Sequence, residues 1–102
     1  MTIDFLKSRG AKELSVWYLY LLCCSDGSFY TGITSDLTSR LERHNAGRAS
    51  VYTKLRRPVQ LRYVEQFENK SQARRREIEI KNYSIANKKK LIEFGTGKKI
   101  CS

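Results

Sequence analysis

The chain has few residues of the types that build disulfide frameworks or zinc sites. It contains three cysteines, two of them adjacent at Cys23 and Cys24 and one at Cys101, and His44 is its only histidine. These residues exclude a disulfide-stapled scaffold and a zinc-finger signature, because both need paired side chains at regular spacing. Core packing is the simplest role for the adjacent cysteines. The pattern fits a reducing compartment, so we expect a cytoplasmic protein.

Long apolar runs are also absent. No stretch approaches the roughly 18 consecutive apolar residues of a membrane span. The first residues, MTIDFLKSRGAKELSV, lack the sustained apolar segment of a secretory signal, so we expect neither export nor membrane insertion. The length of 102 residues suits one domain. We place this domain at residues 15–94, between a loose extension at residues 1–14 and a frayed tail at residues 95–102.

Acidic residues are scarce relative to basic ones. Ten Asp and Glu stand against 20 Lys and Arg, and the formal net charge is +10 at pH 7. A polyanion is the expected partner of such a chain, with DNA first and RNA as an open alternative, although simple solubility would also explain the charge. A membrane surface fits less well, because the apolar residues are used in a globular core and not in an amphipathic anchor helix. Five residues of the basic clusters are expected to contact nucleic acid: Lys54, Arg56, Arg57, Arg74 and Arg76.

The order of apolar and polar residues predicts an α+β domain with the element order β-β-α-β-α-α. Residues 16–24 are apolar or aromatic at nearly every position, which is typical of a central strand covered on both faces. The other predicted elements are a strand at residues 29–34, a helix that Ser35 or Asp36 begins and Gly47 ends, a strand at 59–67, and helices at 70–83 and 84–94. Residues 48–57 are predicted to form a polar connection. The result is a small three-stranded antiparallel sheet flanked by helices.

Tyr20 and Tyr30 lie on the two strands of the predicted hairpin, and the turn decides whether their rings can act together. A two-residue turn pairs Tyr20 with Ile33 and places the rings on opposite faces of the sheet. A three-residue loop with Gly27 in the left-handed conformation pairs Tyr20 with Gly32, which places both rings on one face and opens space beside Tyr20. Both turns are compatible with the sequence.

Glu77 falls beside Ala73 and Ile80 on a helical wheel, on or next to the apolar stripe of its predicted helix. Burying a bare carboxylate is costly, so the site must offer a cation, a metal or several hydrogen bonds. An ordinary ion pair with an arginine is the simpler alternative. On the preceding predicted helix, Arg40 and His44 are four residues apart and are therefore neighbours. This pair alone is typical of a solvated surface.

Taken in order, these residues resemble the signature of the GIY-YIG nuclease superfamily, above all its small stand-alone bacterial members. The likeness consists of YLY at residues 18–20, YTG at residues 30–32, RLERH beginning at Arg40 and a later helix carrying Glu77. It spans residues 16–94. The resemblance implies a metal-dependent endonuclease that hydrolyses phosphodiester bonds in DNA, in repair or recombination, with one divalent ion, typically Mg²⁺ or alternatively Mn²⁺.

The resemblance also implies a role for each residue. Glu77 would hold the metal together with waters and phosphate oxygens. Arg40 would bind the scissile phosphate and stabilise the charge that builds on it. Tyr30 would orient or deprotonate the attacking water, Tyr20 would position phosphate or water, and His44 would hydrogen-bond the phosphate or assist proton transfer. Because a phenol has a pKa near 10, a tyrosine base needs neighbouring positive charge.

Ile33 departs from the pattern, since several characterised members of the superfamily have a lysine directly after the second motif. This departure favours an alternative function, a nucleic-acid-binding module that has kept the fold without catalysis. A small adaptor for a larger repair protein is a further alternative. Many full-length members add separate DNA-binding domains, so we expect substrate choice here to depend on the basic surface or on such a partner.

Overall fold

The structure is a computed structural model that describes residues 16–99. The expectations for the N-terminal extension and for Cys101 lie outside the described residues. Within the described residues, no helix is long and apolar enough to span a bilayer.

An antiparallel sheet forms the centre of the domain. Its strands are β1 (Trp17–Cys23), β2 (Phe29–Thr34), β3 (Gln60–Phe67) and β4 (Lys98–Lys99), in the spatial order β2-β1-β3-β4. The predicted three-stranded arrangement is confirmed, with β1 between β2 and β3. The short β4 differs from the expected frayed tail, because it pairs with Tyr63 and Val64 of β3. A strand of two lysines has no alternation of apolar and polar residues, so the sequence could not predict it.

In the part of the chain that the structure describes, four helices surround the sheet: α1 (Leu37–Asn45), α2 (Val51–Lys54), α3 (Lys70–Lys81) and α4 (Ile85–Phe94). The side chain of the residue before each helix accepts a hydrogen bond from a backbone N–H of the first turn, and these capping residues are Asp36, Ser50, Asn69 and Ser84. Three helices match the predicted ones. The additional helix, α2, lies in the expected polar connection and has only four residues, too few for a periodic apolar pattern.

Both faces of β1 are buried, as predicted for a central strand. Leu19 and Leu21 pack with Ile80 of α3, and we call this side of the sheet the α3 face. Tyr20 and Leu22 lie on the opposite side, where partly buried residues of α1 pack against them, and we call it the α1 face. The α1 face also buries Cys24, Val59, Leu37 and Leu41 in whole or in part. The alternation along β1 therefore divides the core into two layers.

The hairpin between β1 and β2 has the three-residue loop. The Cys24 N–H donates to the Ser28 carbonyl at 2.8 Å, and Gly27 has a φ of 85°, a conformation that favours glycine. Tyr20 pairs with Gly32, and Tyr30 pairs with Leu22, which is two residues after Tyr20 on β1. Since side chains alternate along a strand, Tyr20 and Tyr30 both lie on the α1 face. This outcome selects one of the two turns that the sequence left open.

An ion-pair network ties α3 to β3. Arg76 donates to both carboxylate oxygens of Glu65, at 2.8 and 3.0 Å, and also pairs with Glu79 at 3.1 Å. The Tyr63 hydroxyl donates to the same Glu65 carboxylate at 2.6 Å, and burial together with this carboxylate raises the pKa of Tyr63 to about 12. The Gly97 N–H in turn donates to Tyr63 at 3.0 Å. The network anchors the segment that leads into β4.

Candidate active site

Tyr20 lies in the space that Gly32 leaves. A methyl group on residue 32 would be 2.5 Å from Oη and 2.6 Å from Cζ of Tyr20, so any side chain there would displace the phenol. The predicted space beside Tyr20 is therefore filled by the ring itself. Burial raises the pKa of Tyr20 to about 12, and the charges of Tyr30 and Glu77 add to this rise, whereas the Arg40 guanidinium beside the phenol opposes it. Tyr20 is consequently a protonated phenol at neutral pH.

His44 is buried between Tyr20 and Thr53. Its Nε2 lies 2.9 Å from Tyr20 Oη, and its Nδ1 lies 2.7 Å from Thr53 Oγ1. The pKa of His44 is lowered to about 4, mainly by burial and further by the charges of Arg40 and Arg43. The imidazole is therefore neutral at pH 7, with one N–H and one acceptor nitrogen.

The neighbours of the imidazole favour one direction for its hydrogen bonds. Arg40 has only donors to offer the Tyr20 oxygen, so the Tyr20 O–H is free to donate to His44 Nε2. The proton of the neutral ring is then on Nδ1, which donates to Thr53 Oγ1. Thr53 continues the chain, since its Oγ1 lies 2.9 Å from Ser50 Oγ. Both nitrogens of His44 are thus used inside the protein, so neither is left for a direct contact with a phosphate, which was one of the two roles expected for it.

Tyr30 lies next to this pair and is the more accessible of the two tyrosines. Its ring centroid is 5.0 Å from the ring of His44, 6.4 Å from that of Tyr20 and 6.1 Å from that of Tyr52. The Tyr30 side chain is half-buried. Tyr20 and His44 each make side-chain hydrogen bonds. Within the described part of the chain, the Tyr30 hydroxyl makes none. This hydroxyl is available to a bound ligand.

Glu77 is buried on α3 together with Ala73 and Ile80, as the helical wheel predicts. Its carboxylate pairs with Arg74 at 3.2 Å and with Lys81 at 3.1 Å, both on its own helix. Glu77 belongs to the helix that covers the α3 face, so it approaches from the other side of the sheet from the phenols. It is nevertheless close enough for its charge to contribute to the raised pKa of Tyr20.

A metal at Glu77 would have one protein carboxylate as its ligand. Within residues 16–99, no group of three or more His, Cys, Asp or Glu side chains comes together to hold an ion. Mg²⁺ commonly accepts one or two carboxylates and takes its other ligands from water and phosphate. Arg74 and Lys81 are 63% and 51% exposed at their side chains, so both can move into solvent and release the carboxylate. The donor set therefore fits a hard divalent ion bound together with a phosphate substrate.

Comparison with known families gives this arrangement a context. Residues 16–90 match the family described as "GIY-YIG catalytic domain". The chain belongs to the GIY-YIG family. GIY-YIG proteins form a nuclease superfamily, so membership indicates a nucleic-acid substrate at the family level. The match includes every residue of the site described above.

Small bacterial GIY-YIG proteins are similar to this chain over most of their length. A UPF0213 protein of Staphylococcus saprophyticus is 51% identical over 78 residues, which are 76% of this chain and 95% of the relative. A UPF0213 protein of Staphylococcus aureus is 50% identical over 76 residues, 74% of this chain and 93% of the relative.

Two structures solved by NMR in solution show the same fold. A UPF0213 protein of Bacillus halodurans has a TM-score of 0.51 and 38% identity, and the match covers 79% of this chain and 87% of that one. A protein of E. faecalis has a TM-score of 0.55 and 36% identity, with 76% and 83% covered.

The departure at Ile33 has a structural explanation in this GIY-YIG domain. Ile33 is partly buried against the α3-face core that contains Leu19 and Leu21. Its side chain packs as an apolar residue, on the side of the sheet opposite to the two site phenols. Any charge that a lysine brings to this position in other members is missing from this chain.

The basic residues expected at a nucleic-acid surface differ in their surroundings. Lys54 and Arg57 are exposed beside a depression of about 440 Å³ that Asn45, Leu55 and Pro58 also line. Arg74 is exposed and pairs with Glu77. Arg76 is engaged by Glu65 and Glu79, and its side chain is only 23% exposed, so it serves the ion-pair network of the fold.

Sequence reasoning overlooked the contribution of α2. Thr53 is fully buried and holds His44, and Ser50 both caps α2 and contacts Thr53. Tyr52 extends the row of aromatic rings beyond Tyr30. Ser50 and Thr53 have the spacing of a capping residue and the third helical position, and this spacing was the one feature of the sequence that could have predicted α2.

Proposed function

We propose that this protein is a metal-dependent endonuclease that hydrolyses phosphodiester bonds in DNA. One observation carries the proposal: the rings of Tyr20, Tyr30 and His44 meet on one face of the sheet, with Arg40 against the Tyr20 phenol. The buried Glu77 carboxylate, on α3, makes a smaller contribution to the raised pKa of the same phenol. Membership of the GIY-YIG family supports this assignment.

In the proposed mechanism, Arg40 binds the scissile phosphate. A guanidinium can donate two parallel hydrogen bonds to phosphate oxygens and can stabilise the negative charge that grows on them during hydrolysis. Arg40 is half-buried, so this interaction takes place partly out of water and is stronger for that reason. The same guanidinium lies beside Tyr20, so a phosphate bound to Arg40 would be next to the two phenols.

The two tyrosines have separate tasks. Tyr30 offers a free hydroxyl and orients the attacking water next to the phosphate. Tyr20 keeps its proton, donates it to the hydrogen bond with His44, and presents its oxygen as an acceptor toward Arg40 or water. His44 is a positioning residue, because it acts through Tyr20 and is itself held by Thr53.

Glu77 would hold the divalent ion, Mg²⁺ or Mn²⁺. When bound, the ion supplies positive charge that offsets the charge building on the phosphate. Arg74 and Lys81 neutralise the carboxylate, and their exposed side chains could turn toward solvent or toward the DNA backbone if Glu77 held an ion. Lys54 and Arg57 add sequence-independent attraction to the backbone.

The test is cleavage of branched, duplex and single-stranded DNA and of matching RNA, with Mg²⁺, with Mn²⁺ and with a chelator. We expect metal-dependent cleavage by the wild type and a loss of about 100-fold or more in Glu77→Gln and Tyr30→Phe, with nucleic-acid binding retained. Glu93→Gln and Tyr83→Phe are matched controls, since Glu93 is exposed and Tyr83 packs at the α3-face core. Cleavage by Glu77→Gln and Tyr30→Phe at the wild-type rate would reject the proposal.

The alternative is a nucleic-acid-binding module without catalysis, which Ile33 favours because it leaves an apolar side chain in place of a cation. It predicts strongly salt-dependent binding and no metal-dependent cleavage of any substrate in the panel. An adaptor for a larger repair protein would show no nucleic-acid affinity of its own and would recover its partner in a pull-down. The same purified protein therefore separates the three functions.

A further inference from the structure

A row of flat side chains extends from the candidate active site toward the surface. The Tyr52 ring of α2 lies 6.1 Å from the Tyr30 ring, and the Arg56 guanidinium carbon lies 3.8 Å above the centre of the Tyr52 ring. Tyr52 is 37% exposed. Tyr20, Tyr30, Tyr52 and Arg56 thus form a continuous series, and its outer end has no role in the proposed hydrolysis.

The outer end of this series is held in place. Arg56 Nε donates to Asp26 Oδ2 at 3.1 Å, and Asp26 belongs to the loop between β1 and β2. Arg56 Nη1 also donates to the Tyr52 carbonyl at 3.0 Å. Two of the donor nitrogens are therefore fixed, yet 32% of the Arg56 side chain remains exposed. An arginine fixed at its edge keeps the outer face of its planar group available for stacking.

We propose that the Tyr52–Arg56 pair is a stacking platform for an unpaired nucleobase next to the phosphate that is cleaved. Tyrosine rings and guanidinium planes are the surfaces on which proteins stack unpaired bases. The pair adjoins Tyr30, and the exposed Lys54 lies on the same short helix to attract the backbone. The inference builds on the proposed function and deepens it, because it assigns the substrate to strands with unpaired nucleotides, such as single strands and flaps.

A continuous duplex would not use this platform. Its bases are stacked on one another, and taking one out costs a few kcal/mol. An unpaired base carries no such cost and can lie on the Tyr52–Arg56 pair while its phosphate lies near Arg40. The simpler reading of the pair is structural, since Arg56 also links α2 to the hairpin loop through Asp26. The two readings differ in whether the base itself contributes to binding.

The experiment compares ligands that differ only in their bases. A short fluorescent thymidine oligonucleotide is measured against an abasic oligonucleotide with the same number of phosphates, a uridine RNA strand and a duplex, all in chelator so that no strand is cut. For the wild type we expect the thymidine strand to bind about tenfold more tightly than the abasic strand, as one or two stacked bases would require. The RNA arm determines whether the platform serves DNA, RNA or both.

Three variants test the assignment. Arg56→Lys keeps the charge and the possible ion pair with Asp26 but lacks the planar group, and Tyr52→Leu keeps apolar volume without a ring. Both should reduce the preference for the thymidine strand to nearly onefold, while circular dichroism and thermal unfolding confirm that they are folded. Lys89→Met, which removes an exposed cation on α4, should leave the preference unchanged.

The result that overturns the inference is a wild-type protein that binds thymidine and abasic strands equally, or variants that keep the wild-type preference. These outcomes are separate from the fate of the proposed function. A base preference without metal-dependent cleavage would support the platform and reject the nuclease, and cleavage without a base preference would do the reverse.

Discussion

Replacing Gly32 by alanine should destabilise the domain through one contact, that between the new methyl group and the Tyr20 phenol. The methyl carbon would lie 2.5 Å from the phenol oxygen and 2.6 Å from the ring carbon that bears it, far inside van der Waals contact. Tyr20 is only 2% exposed and cannot move into solvent without opening the core. Overpacking of this kind costs roughly 1 to 3 kcal/mol.

Two further terms adjust this figure. Displacing the phenol breaks its hydrogen bond with His44, which adds about 1 kcal/mol. Alanine is better than glycine in a strand by roughly 0.5 to 1 kcal/mol, which offsets about that much. We expect Gly32→Ala to lower the free energy of unfolding by about 1 to 3 kcal/mol, measured by urea denaturation followed by circular dichroism.

A double-mutant cycle makes the prediction specific. In a Tyr20→Leu background the phenol oxygen and its ring carbon are gone, so the cost of Gly32→Ala should fall below about 0.5 kcal/mol. Gly27→Ala is the control, because Gly27 has a φ of 85° and no atom within 4 Å of an added methyl group. Its cost, roughly 1 to 2 kcal/mol of backbone strain, should be the same in both backgrounds. A Gly32→Ala cost that does not depend on Tyr20 would refute the reasoning.

Three other predictions concern groups around the site and the network. The pKa of His44 is lowered from 6.5 to about 4, so the unfolded chain binds more protons than the folded one between these pH values, and the free energy of unfolding should fall by about 3 kcal/mol as pH drops through them. His44→Gln should lack this part of the pH dependence. Parallel curves of unfolding free energy against pH for the two proteins would contradict the prediction. Nitrogen NMR shifts should show the proton of the neutral His44 imidazole on Nδ1, and a proton found on Nε2 would contradict this. Thr53→Val, which removes the acceptor of that proton, should lower the free energy of unfolding by about 1 to 2 kcal/mol. Arg76→Ala should lower the free energy of unfolding by about 2 kcal/mol or more, because it leaves the Glu65 carboxylate without its partner. Arg75→Ala, at an exposed neighbouring position, should lower it by less than about 0.5 kcal/mol. Equal losses in denaturation experiments would disprove the structural role of Arg76.

The sequence was sufficient where a pattern of several residues carried the information. The unbroken apolar run at β1 predicted a strand buried on both faces, and the helical wheel predicted that Glu77 is buried with Ala73 and Ile80. The hairpin could be reduced to two turns but not to one, because the choice depends on the backbone of Gly27 and on the core that both strands share. Short pieces without periodicity, α2 and β4, could not be predicted.

The site residues show the same division. The set of two tyrosines, arginine, histidine and glutamate could be proposed from a resemblance, but their contacts could not. The sequence does not indicate that Thr53 occupies one nitrogen of His44, or that the Arg76 guanidinium is taken up by Glu65. Both facts depend on residues that are distant in the chain and meet only through tertiary packing.

The protonation states of Tyr20 and His44 lead to a last prediction, on the pH dependence of cleavage. One group has a pKa of about 12 and the other of about 4, so neither changes its charge near neutral pH. A His44 that served as the general base would give a rate that levels off above its own pKa of about 4, so the rate would be nearly constant from about pH 5.5 to about pH 8.5. If His44 only positions Tyr20, the rate should instead rise steadily from about pH 5.5 to about pH 8.5, as deprotonation of the attacking water becomes easier. A rate that is constant over this range, and that His44→Gln turns into a rising one, would assign the proton transfer to His44 and end its description as a positioning residue.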